Sequence, residues 1–129
     1  MPSPTIAIYF VQKCLQNLQQ QPDLQLKLLN QNHISPSLLK QANARIPAEN
    51  YASHCRDTMQ AMSDELMGFG TQAQKIGCWT TMTELAANAP SLGEALKRLT
   101  RFYRLIPWGL NTNLEIHNDI ASISLTSNP

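Results

Sequence analysis

Charge is scarce in this sequence. Only 15% of the residues are Asp, Glu, Lys or Arg, and ten cations nearly cancel nine acids, leaving a formal net charge of +1. A general nucleic-acid or membrane-surface binder carries a clear basic excess, so the totals argue against both. Cysteine is scarcer still: Cys14, Cys55 and Cys78 are far apart and odd in number. Without a C-x-x-C pair or a Cys/His ligand spacing, nothing supports a disulfide framework or a zinc site. Free thiols fit a reducing compartment. No stretch approaches the roughly 18 apolar residues of a membrane span, and the N-terminus lacks a charged region followed by an apolar run. The expectation is a soluble cytoplasmic protein that needs no metal and no cofactor.

What is present is enough for one ordinary domain: 129 residues can bury a real core. The clearest element is the stretch from Ser91 to Ile106. Ser91 and Glu94 stand at capping-box spacing, each placed to bond the other's backbone N–H. Leu92, Ala95, Leu96, Leu99, Phe102, Tyr103 and Ile106 recur at intervals of three and four, which predicts one apolar helix face. Lys97, Arg98, Arg101 and Arg104 fill the other side, and Pro107 stops the helix. Four of the ten cations and one of the nine acids lie here, so the helix is +3 and the remainder of the chain −2. Such a stripe reads either as a solvated face with i,i+3 and i,i+4 partners or as a docking face for an anion.

Ahead of it the spacing predicts helices over 5–20, with Ile8, Val11, Leu15 and Leu18 on one side, and over 24–30, capped by Asp23. A third, 36–43, has Ser35 as N-cap and Pro36 at its first position. Arg45-Ile46-Pro47 breaks the pattern before a helix over 48–62 with Tyr51, Cys55, Met59 and Met62 on its buried stripe. A loop over 63–74 leads to a helix over 77–88 that turns Trp79, Met82, Leu85 and Ala86 inward. The last twenty residues alternate apolar and polar, over 114–117 and again over 120–125, around Asn118-Asp119. That is a β-hairpin. The expected fold is α+β: about five helices packed together, then the opening hairpin of an antiparallel sheet. Two strands rarely hold alone in water, so residues 1–129 read as a single domain, the N-terminal fragment of something longer.

No constellation calls for catalysis. His33, His54 and His117 sit on different elements, and sequential His54 and Cys55 face about 100° apart on a helix. Asp64-Glu65 reads as a solvated loop start rather than a metal site, and Gly68-Phe69-Gly70 is too short for a phosphate loop. Helices 24–30 and 36–43 could mimic a helix-turn-helix, yet the second, which would be the recognition helix, offers DNA only Lys40, with Arg45 just beyond. Trp79, Met82, Phe102 and Tyr103 lie on consecutive helices whose faces can meet. They are either plain core or the lining of a pocket for a small amphipathic ligand, with Arg101 or Arg104 holding its anionic end.

From Arg45-Ile46-Pro47 onward the order of motifs resembles the N-terminal, arabinose-binding-type sensor domain of AraC-type transcription regulators. The likeness rests on Arg45-Ile46-Pro47 with Tyr51 after it, on Asp64-Glu65-Leu66-Met67-Gly68-Phe69, and on Gly77 opening a helix. It continues through Pro90-Ser91-Leu92-Gly93-Glu94-Ala95-Leu96 and Arg101-Phe102-Tyr103-Arg104-Leu105, with Leu38-Leu39 ahead of them all. The resemblance implies a cytoplasmic bacterial regulator whose N-terminal domain senses a small-molecule effector and dimerises, without chemistry. A C-terminal pair of helix-turn-helix motifs then binds DNA. That second domain is absent from this chain, so no DNA-binding residue is carried over. The expected partners are therefore an effector and a second copy of the chain, paired through the exposed hairpin edge. The other reading is a structural dimerisation or interaction module with no small-molecule ligand.

Overall fold

Thr5–Ala7 is extended rather than helical. These residues form β1, which pairs antiparallel with β2 (Arg45–Pro47), Ile6 standing opposite Ile46. Three-residue strands are too short to hold by themselves. Here the Arg45 guanidinium secures them, its Nε donating to Thr5 Oγ1 at 2.8 Å and its Nη2 to the Thr5 carbonyl at 2.9 Å. So the first helix starts three residues later than the periodicity predicts, and Arg45-Ile46-Pro47 is a strand rather than a break. In the computed structural model, which describes residues 2–127, the fold is mixed α+β with helices dominant. Five α-helices and two antiparallel strand pairs lie among the described residues, in two compact units that divide between Met62 and Ser63.

In the first unit β1 runs straight into α1 (Ile8–Leu15), which tightens into a 3₁₀ turn at Gln16–Leu18. Ile8, Val11, Leu15 and Leu18 are buried, as their spacing predicts, and meet Leu28, Leu29, Ile34 and Ile46 in the core. α2 (Pro22–Gln31) begins at its proline, with Gln21 rather than Asp23 at the cap. Asp23 lies in the first turn, where its charge still favours the positive end of the helix dipole. The predicted helix over 36–43 is only a 3₁₀ stretch, Pro36–Lys40. Ser35 does not cap it, because its hydroxyl bonds the Ser37 hydroxyl at 2.9 Å instead.

α3 (Ala48–Met62) follows β2 directly, as α1 follows β1. The expected stripe of Tyr51, Cys55, Met59 and Met62 is half-buried, whereas His54 and Thr58, one residue back, are fully buried. The helix is thus rotated from the face that hydrophobicity alone selects, and the Thr58 hydroxyl is satisfied by the His54 carbonyl at 2.7 Å. α1 packs on α3. Phe10 meets Tyr51 edge-on, and Cys14 meets Cys55. Both pairs are 41 residues apart, and a constant offset means that the two helices run in the same direction.

The second unit holds α4 (Cys78–Ala87), α5 (Leu92–Leu105) and a hairpin of β3 (Leu110–His117) and β4 (Ile120–Ser127). α4 packs on α5, and α5 on β3. Both strands run longer than the alternation predicts, and Asn118 makes the turn with a positive φ of 54°. Register places Leu114 opposite Ile123 and Ile116 opposite Ala121, so the apolar residues share one face of the ribbon.

Candidate functional site

α5 positions the site. Ser91 Oγ accepts the Glu94 backbone N–H at 3.2 Å, so half of the predicted capping box forms. The other half does not, since the Glu94 carboxylate takes the Lys97 ammonium at 3.0 Å. Lys97, Thr100, Arg101 and Arg104 follow at intervals of three and one, and so share a face of α5. That face and the apolar side chains of Leu114 and Ile116 on β3 enclose a groove of about 410 Å³. The Thr100 hydroxyl is spent on the Leu96 and Lys97 carbonyls and presents no donor to the groove.

The cations are not equivalent. Arg104 is fastened to the sheet: its Nε donates to the Thr112 carbonyl at 2.9 Å and its Nη2 to Asn113 Oδ1 at 3.1 Å. Arg98 donates to the Leu85 carbonyl of α4 at 3.0 Å. Arg101 makes no hydrogen bond or ion pair among the described residues. It is exposed, and its charge is open to an incoming anion. The arrangement offers an unpaired cation, a pinned cation and a half-exposed apolar wall. It suits an anionic head on a short apolar body.

The aromatic group singled out from the sequence is divided by the structure. Tyr103 is buried, packed at a 33° tilt against Trp108 with ring centroids 4.6 Å apart and edge-on to Phe102 at 5.5 Å. Met82 is buried as well, while Trp79 is 58% exposed. The predicted inward face of α4 is therefore narrower than its periodicity implies: Leu85 is exposed with Trp79. Phe102 lines a smaller hollow of about 260 Å³ with Leu85, Arg98, Arg101 and Leu105. Arg101 thus borders both depressions, and Arg104 only the larger. Lys97, Leu114 and Ile116 were not among the residues singled out. The i,i+4,i+7 spacing of Lys97, Arg101 and Arg104 carries the cationic half of the groove, but the wall from β3 depends on hairpin docking that spacing cannot show.

A second polar cluster frames α4. Asp64, expected to be a solvated loop start, is buried and accepts backbone N–H groups from Leu66, Gly68 and Gln74 at 2.8–2.9 Å. Burial pushes its pKa up, but these three bonds hold it below the ordinary carboxylate value. Glu65 accepts the N–H groups of Gly77 at 2.6 Å and Trp79 at 2.9 Å, and so caps α4 with a full negative charge. Gly77 carries a φ of 107°, a conformation that glycine adopts freely. Both acids hold backbone. Among the described residues no group of three or more His, Cys, Asp or Glu is placed to hold a metal ion.

A family model described as the arabinose-binding domain of AraC transcription regulator, N-terminal, matches residues 25–129. The chain belongs to that family. No curated protein and no solved structure matches it. The matched span takes in α3, α4, α5 and the hairpin, so the α5 groove lies inside the family's region. Membership makes the chain a ligand-sensing domain of the AraC regulator type. No helix among the described residues is long and apolar enough to cross a membrane.

Proposed function

We propose that this chain is the effector-sensing part of a cytoplasmic AraC-type regulator, non-catalytic, with DNA bound by a separate domain. The observation that carries the reading is the α5 groove, where an uncommitted Arg101 and a fastened Arg104 face the apolar Leu114 and Ile116. The effector it favours is a small amphipathic anion, its head on Arg101 and Arg104. The accessible aromatics Trp79 and Phe102, backed by buried Met82 and Tyr103, are the next surface it would reach. Filling the groove would bias how α5 sits on β3, and an attached domain can read such a bias as a shift in population. A second copy pairs through the hairpin, whose Ile116, Ile123 and Leu125 remain exposed.

The test is a titration with straight-chain carboxylates of graded length, with arabinose alongside them because the family is named for that sugar. Carboxylates should raise the thermal midpoint and change tryptophan emission, and Arg101→Ala should abolish both responses. Equal responses from wild type and Arg101→Ala would overturn the anion assignment. A thermal midpoint that no compound moves would favour the structural dimerisation module instead.

A further inference from the structure

Cys14 and Cys55 are separated by 41 residues, yet their sulfurs stand 3.3 Å apart. The fold explains the meeting. α1 and α3 each start directly from one strand of the β1–β2 pair and run the same way. Cys14 is the seventh residue of α1 and Cys55 the eighth of α3. At about 1.5 Å per residue the two lie at nearly the same height. Tyr51, one turn before Cys55, brings its hydroxyl to 3.9 Å from Cys14 Sγ. Both thiols are free, Cys14 buried and Cys55 half-buried. Closing the gap to a bonded sulfur–sulfur distance of about 2.05 Å takes a movement of little more than an ångström.

We propose that Cys14 and Cys55 form a peroxide-oxidisable dithiol that closes into a disulfide between α1 and α3. Cys55, the more accessible thiol, reacts first. The hydrogen bond from Cys14 draws its pKa down to about 7, whereas Cys14, facing Cys55 and buried, is pushed well up. The Cys55 thiolate attacks one oxygen of the peroxide. An S–O bond forms, the O–O bond breaks, and the leaving hydroxide takes up a proton to become water. Cys14 sulfur then attacks Cys55 sulfur, forming S–S and breaking S–O. The departing hydroxide removes the Cys14 proton as a second water. Two thiols lose two electrons and one peroxide gains them. Cys78 lies in the other compact unit and takes no part. This inference is independent of the effector groove, so either can fail without the other.

The experiment uses the full chain, reduced, freed of reductant and exposed to hydrogen peroxide. Remaining thiols are then alkylated, and the protein is digested without reduction and mapped by mass spectrometry. The expected result is one peptide pair joined through Cys14 and Cys55, alkylated Cys78, and an intact mass lower by two hydrogens that dithiothreitol restores. A link through Cys78, or Cys55 carried to sulfinic acid without any link, would overturn the proposal. So would alkylation of both Cys14 and Cys55 after peroxide. Cys14→Ser should leave a sulfenic acid on Cys55 that dimedone traps, and Cys55→Ser should leave no trappable sulfenic acid on Cys14. If either variant fails to fold, the wild-type map decides alone.

Discussion

The Asp64 carboxylate accepts the backbone N–H of Gln74 at 2.8 Å, closing a loop that contains neither helix nor strand. The same oxygen also takes the Leu66 N–H, and the other takes that of Gly68. An amide cannot reproduce this, because its NH₂ would face one of the three donors. Asp64→Asn should therefore cost nearly as much as Asp64→Ala, each about 2–4 kcal/mol, through buried N–H groups left unmatched. Chemical denaturation of the two variants checks this, and an Asp64→Asn protein as stable as wild type would contradict it.

Why Asp64 was illegible while Leu15 was plain is a matter of range. Ile8, Val11, Leu15 and Leu18 announce their burial through a local period of 3.6, and the hairpin announces itself through a period of 2. The burial of Asp64 depends on a loop folding back across ten residues, which no local pattern encodes. The β1–β2 pairing is the same kind of case: three residues at each end of a 40-residue separation leave no period to detect. Once that pairing exists, the meeting of Cys14 with Cys55 follows from helix geometry. The cationic stripe of α5 was legible because it lies on one helix, and its apolar wall was not, because it comes from another element.

Only half of the capping box at α5 forms, and that asymmetry is measurable. Ser91→Ala removes the acceptor for the Glu94 N–H and should cost about 1 kcal/mol. Glu94→Ala removes the exposed pair with Lys97 together with the only group that could reach back to Ser91, and should change stability by no more than about half a kcal/mol. Thermal midpoints that fall equally in the two variants would mean that Glu94 does reach back to Ser91.

His54 makes stability depend on pH. Its ring is fully buried, and neither nitrogen has a hydrogen-bond partner. Burial lowers its pKa from the ordinary 6.5, only partly offset by the nearby Leu28 carbonyl and Asp57 carboxylate. A histidine with a depressed folded pKa contributes no penalty above the unfolded value. Below about pH 6.5 the unfolded chain binds a proton that the native chain refuses, so stability falls until the lower native pKa is reached. Asp64, whose pKa is depressed in the fold, adds a second loss as the pH drops below its ordinary 3.8. Unfolding curves across this range should show both steps, and His54→Leu should erase the first while leaving the second.

Arg101 and Arg104 stand one turn apart on α5, yet they should answer to different measurements. Arg104 ties the end of the helix to Thr112 and Asn113, and its forked guanidinium spans both partners. Arg104→Lys keeps the charge but loses the planar fork that fits these two acceptors, and both it and Arg104→Ala should lower stability by about 1 kcal/mol. Arg101 touches no polar group among the described residues, so Arg101→Ala should leave the thermal midpoint of the free protein unchanged within a few tenths of a kcal/mol. Its effect should appear only with a carboxylate present, as loss of the ligand-dependent rise in midpoint, which grows with the logarithm of ligand concentration. Arg104 variants should lose stability with or without ligand. If Arg101→Ala instead destabilised the free protein and left the carboxylate response intact, the groove face of α5 would be structural rather than receptive.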